Sequence, residues 1–116
     1  MGASKEYAQV TSNHLLVGTW VEEENPVDTT TVVYTITVRA GRFRVSGVDE
    51  SDGVALHISD TTWDGEKLCF MSLFPSTNHK ASHEFWLTRK VRVSHTVRYS
   101  DEDGSHTVNE VWKKRV

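Results

Sequence analysis

Eight runs of alternating apolar and polar residues, separated by turn-forming Gly and Asp, leave this chain few ways to fold. The runs fall at roughly 15–24, 30–40, 42–49, 54–63, 66–74, 81–90, 91–100 and 105–115. They are rich in Val, Thr and aromatic residues, which suit a pleated, half-buried surface. Helix signals are nearly absent: only "SNHLL" at 12–16 predicts a short N-terminal helical turn, with Ser12 as its cap. The connections are short. "AG" at 40–41 and "DG" at 64–65 are tight-hairpin signals, and "ESDG" at 50–53 and "DEDG" at 101–104 are longer polar turns. Strands joined this way pair with their neighbours as an antiparallel meander. Eight of them in an open sheet would leave two exposed edges, and pairing the first with the last removes both. The expected fold is all-β: one eight-stranded antiparallel up-and-down barrel.

The side-chain pattern also predicts registers. A turn at 40–41 pairs Val38 with Phe43, Ile36 with Val45 and Tyr34 with Gly47, all on one apolar face. The opposite face, Thr31, Val33, Thr35, Thr37 and Arg39, suits water. A loop at 50–53 sets Val45 against Ile58 and Gly47 against Leu56. At "WDGEKL" two- and three-residue turns are both acceptable. Either Cys69, Met71 and Leu73 or Leu68, Phe70 and Phe74 then face inward.

Composition bounds the function. At 116 residues the chain makes one domain, 1–116, with 1–12 reading as a flexible N-terminal arm. A net charge of −3 with interspersed signs argues against a nucleic-acid surface and against a polybasic membrane anchor. The single cysteine, Cys69 between Leu68 and Phe70, reads as a buried small hydrophobe and excludes a disulfide framework. The start "MGASKEYAQV" has no signal-peptide core. Gly2 and Ser4 give only part of a myristoylation pattern, because Glu6 stands where Ser or Thr is needed. The expected compartment is cytoplasmic and the expected assembly a monomer or homodimer. No cofactor, metal or catalytic motif is present: there is no Gly-rich phosphate loop, nucleophile elbow or Cys-x-x-Cys pair.

"GTW" at 18–20, on the first strand and just after "SNHLL", resembles the opening signature of the lipocalin and fatty-acid-binding (calycin) superfamily. The resemblance is to a short bacterial lipocalin-like domain rather than to either main branch. The chain has no Thr-Asp-Tyr motif, no helix after the last strand and no helical lid after the first. It implies a structural signature of Gly18, Trp20 and a basic residue from the last strand packed on the indole. Among Lys113, Lys114 and Arg115 the expectation is Arg115, since guanidinium stacks on indole better than ammonium.

The inward face carries one polar row. A three-residue turn at 88–90 pairs Leu87 with Val91, Phe85 with Val93 and His83 with His95. A six-residue loop after strand seven pairs Val93 with Trp112, His95 with Glu110 and Val97 with Val108. His83, His95 and Glu110 then point inward, and Asp60 on strand four is a further candidate. Such groups can form a buried hydrogen-bonded network, orient a ligand, or act on a proton or a metal ion. His14, His57, His79 and His106 are expected on loops or the polar face. "FPSTNHKASH" at 74–83 is the longest irregular segment, and Trp63 is expected to pack over its hairpin. The leading functional expectation is non-enzymatic binding of a small, largely apolar molecule inside the barrel. Tyr34, Ile36, Phe43, Val45, Phe85, Val93 and Trp112 would line it, and His83, His95 and Glu110 would orient a polar end. The alternatives are a small isomerase- or cyclase-type enzyme using His95 and Glu110, and a filled structural or dimerisation barrel.

Overall fold

In the computed structural model, residues 9–22 and 32–115 are described. They form eight strands: β1 (Gly18–Glu22), β2 (Val32–Arg39), β3 (Arg42–Asp49), β4 (Val54–Trp63), β5 (Leu68–Phe74), β6 (His79–Arg89), β7 (Arg92–Asp101) and β8 (Gly104–Lys114). Each pairs antiparallel with its neighbours in sequence, and β1 also pairs with β8 through Trp20–Lys114, Val21–Lys113 and Glu22–Trp112. The barrel is closed. One end, the floor, carries residues 9–17 and the turns at 40–41, 64–67 and 90–91. The other end, the mouth, carries the turns at 50–53, 75–78 and 102–103.

The β2–β3 register is the expected one throughout, as is Gly47–Leu56 and the whole β7–β8 ladder. That last ladder continues past the expected loop to Asp101–Gly104. The β6–β7 register differs: Leu87 pairs with Val93, Phe85 with His95 and His83 with Val97. A two-residue slip keeps every side chain on its face, so alternation alone does not distinguish the two registers. At the floor Trp63 pairs with Leu68 across a four-residue turn, which puts Leu68 and Phe70 inside and leaves Cys69 partly exposed on the outer wall. One extra residue in β4, between Ser59 and Thr62, makes a bulge in which Asp60 adopts φ 55°. Asp60 is exposed and belongs to no inward row.

Four further expectations change. β6 starts at His79, so the irregular segment shrinks to the turn 75–78, closed by Asn78 N–H donating to Phe74 C=O. "SNHLL" forms two successive turns rather than a helix, and His14 Nδ1, not Ser12, accepts the Leu16 N–H at 3.0 Å. Val10, within the stretch read as an arm, donates its N–H to Gly41 C=O and buries its side chain in the core. Val33, on the outer face of β2, is buried as well, while Thr31 lies outside the described residues.

The core is aromatic and continuous: Trp20, Tyr34, Phe43, Phe70, Phe85 and Trp112 with Leu16, Ile36, Leu56, Leu68 and Val93. Gly47 is where this packing meets the backbone. A Cβ there would stand 2.9 Å from Tyr34 Cε1, so only glycine lets the phenol lie flat on β3. Gly47→Ala is expected to destabilise the barrel by about 1–3 kcal/mol in urea denaturation.

Candidate functional site

Across the middle of the barrel runs a chain of polar groups set among rings. The Tyr34 hydroxyl is hydrogen-bonded to Ser72. Ser72 Oγ lies 2.7 Å from His83 Nε2, and His83 Nδ1 lies 2.8 Å from His95 Nε2. His95 Nδ1 lies 3.2 Å from Glu110 Oε1, out of line for a hydrogen bond, and has no other partner. Trp112 Nε1–H donates to Glu110 Oε1 at 2.7 Å, and the Glu22 side chain lies beside Glu110. The chain draws on β1, β2, β5, β6, β7 and β8, so it exists only in the closed barrel. Although β6 and β7 are shifted by two residues, His83 and His95 still meet, as diagonal rather than directly opposed neighbours.

The electrostatics follow from burial. His83 and His95 are 4% and 1% exposed. Desolvation, and then the neighbouring His95, pushes His83 down to about 3. Desolvation also lowers His95, although Glu110 pulls the other way. Both rings are neutral at pH 7. Burial raises the Glu110 carboxyl, but His95 and the Trp112 N–H outweigh it and hold the group below its ordinary value. Glu110 is therefore ionised, which sets the polarity of the whole chain. A carboxylate beside His95 favours the proton on Nδ1. His95 Nε2 then accepts from His83 Nδ1–H, His83 Nε2 accepts from Ser72 O–H, and Ser72 Oγ accepts from Tyr34 O–H. Burial keeps Tyr34 well above the usual phenol range, as this arrangement requires.

The residues expected to line an open lumen pack against one another instead. The Tyr34 ring lies 5.2 Å from Phe70, 5.3 Å from His83 and 5.5 Å from Trp112. His95 lies 4.4 Å from Phe85 and 4.8 Å from Trp112. Ile36, Val93 and Phe85 are fully buried in the same cluster, while Phe43 sits lower, at the floor, against Trp63. The barrel is thus plugged at mid-height. Above the plug, inward-facing side chains meet solvent: Val108 is 38% exposed, Val97 and Ala81 are partly exposed, and the Glu110 side chain is 22% exposed. Ser72 escaped the sequence reading because the bulge in β4 hid which face of β5 points in.

At the floor, Lys114 takes the place expected of Arg115. Its Nζ lies 5.4 Å from the centroid of Trp20 and donates to Leu15 C=O at 2.8 Å. Trp20 Nε1–H donates to Leu16 C=O at 2.8 Å. Gly18 makes this latch fit, because a Cβ there would sit 3.1–3.3 Å from the Lys114 stem. Lys114 pairs with Trp20 and so shares its inward side, whereas Arg115 points outward and forms a two-pronged pair with Glu50, 2.9 Å on each arm. His14 lies edge-on to Phe43 and Trp63, half-buried rather than on the surface.

Among the described residues no group of three or more His, Cys, Asp or Glu is placed to hold a metal ion, and no helix is long and apolar enough to cross a membrane. The fold and site define a closed eight-stranded antiparallel barrel with a buried histidine pair beneath its mouth. Comparison with protein-family models found no match, and comparisons with curated proteins and with solved structures found none either.

Proposed function

We propose that the protein is a lipocalin-like, non-enzymatic binding module that holds a small, largely apolar molecule in the barrel mouth. The observation that carries this reading is Glu110: an ionised, half-buried carboxylate held by the Trp112 N–H, with Glu22 beside it, on a wall whose other inward side chains are apolar. Pockets for small molecules pair apolar walls with a few fixed polar groups. Here Val97, Val108 and Ala81 supply the walls, the Tyr34–His83–His95–Trp112 plug supplies the base, and Glu110 takes the ligand's hydrogen-bond donor or cationic end. The two histidines belong to the plug and do not reach the ligand, since both are closed off from solvent. Native mass spectrometry of the protein from its own host is expected to show a copurifying small molecule. A dansylated alkylamine is expected to bind the purified protein, and Glu110→Gln to weaken it by about tenfold. Equal affinity for the two forms would remove the mouth as the site and leave the filled barrel as a structural unit.

A further inference from the structure

We propose that the seam between β3 and β4 is a second binding site, for a flat apolar molecule carrying an anionic group. The two strands are bonded through only three residue pairs, Gly47–Leu56, Val48–Ala55 and Asp49–Val54, all near the mouth. Below them the strands part. β3 stays bonded to β2 along its whole length, and β4 stays bonded to β5 on either side of its bulge, so the opening is confined to this seam. The cause is local: a bulge bends and twists the strand that carries it, and here it falls at Ser59–Thr62.

The opening is a cleft of about 380 Å³. That lies within the usual range for small-molecule pockets. Successive residues of both strands, 41–45 and 58–63, line it, so main-chain edges as well as side chains face the space. Its base is apolar: Phe43, Ile58 and Trp63, with Phe43 and Trp63 edge to face at 5.1 Å. His14 closes the base from behind, and burial together with the Lys114 charge holds its ring below the ordinary histidine range. The base is therefore uncharged at neutral pH.

The rim decides the sign of the ligand. Arg44 stands on the β3 lip beside Arg42, which already has a partner of its own, and the β4 lip carries one acid, Asp60, exposed at the bulge. The nearby Asp64 is occupied by its own turn, accepting from Glu66 N–H at 2.8 Å and Lys67 N–H at 2.7 Å. The mouth has the opposite character, with Glu22 and Glu110 on its wall. The two sites therefore select ligands of opposite charge, and their tests are independent.

The probe is 1-anilinonaphthalene-8-sulfonate, a flat aromatic anion, titrated into the natively folded protein. It is expected to bind with quenching of Trp63, to shift amide signals of residues 42–45 and 58–63, and to bind more weakly in high salt. Arg44→Ser is expected to weaken it about fivefold and Asp60→Asn to tighten it about twofold. Glu110→Gln is expected to leave it unchanged, and the uncharged N-phenyl-1-naphthylamine to bind less well. Unchanged affinity in Arg44→Ser, or amide shifts clustered at the mouth instead of the seam, would overturn the proposal.

Discussion

Trp20→Ala is expected to lower the unfolding free energy by about 3–5 kcal/mol. Trp20 is fully buried, and its removal empties the floor at the point where the chain's two ends meet. Three links fail together: the indole hydrogen bond to Leu16 C=O, the seat of the Lys114 ammonium, and the packing of Leu16 in the core. A small domain's whole stability is typically about 5–15 kcal/mol, so one substitution removes a large share of it. Trp20→Phe separates the contributions. It retains much of the ring volume but leaves a buried carbonyl without its donor, at a cost of about 1–3 kcal/mol. Urea midpoints of the three proteins measure both effects. A loss below about 1 kcal/mol for the alanine form would mean that the indole does not hold the floor.

Acid is expected to unfold the barrel unusually early, beginning near pH 6. His83 and His95 stay neutral when folded but take up protons in the unfolded chain. Their contribution is complete above the ordinary histidine value of 6.5 and is lost as pH falls toward the folded value, about 3 for His83. His83 costs about 1.4 kcal/mol per pH unit within that window, roughly 5 kcal/mol over its full span, and His95 adds to the loss in the same direction. Glu110, also lowered in the fold, adds to the loss below the ordinary carboxylate range. The interval between pH 6.5 and 5 belongs to the histidines, because most carboxylates titrate lower. Urea denaturation at half-unit steps should show the slope there. A flat profile down to pH 5 would contradict two buried, neutral rings. Tyr34 sets the other limit: its raised value makes stability fall once pH exceeds the ordinary phenol value of 10.

The architecture was legible because closure is a question of edges, and eight alternating runs with short turns leave one solution that hides them. Pairings across tight turns followed from parity, as at Val38–Phe43 and Tyr34–Gly47. What parity does not carry is a slip of two, which moved His83 from His95 to Val97 without changing its face. Nor does it carry a bulge, which inserts one residue and leaves the pattern on either side intact. The hidden bulge obscured both Ser72 and the seam. His83, His95 and Glu110 were legible as an inward set, but their role was not. Alternation says which way a side chain points, and only packing says whether space remains in front of it. The latch turned on parity too: Lys114 shares a side with Trp20, and Arg115, the better cation for stacking, points the wrong way.

Because the bulge absorbs a single residue, Ile58 and Trp63 both face inward although they are five apart. A chain one residue shorter at position 60 or 61 would hold the same side chains inside on a regular strand and could zip β3 to β4 down to the floor. The opening in the wall is thus an insertion of minimal size, separable from the barrel that carries it.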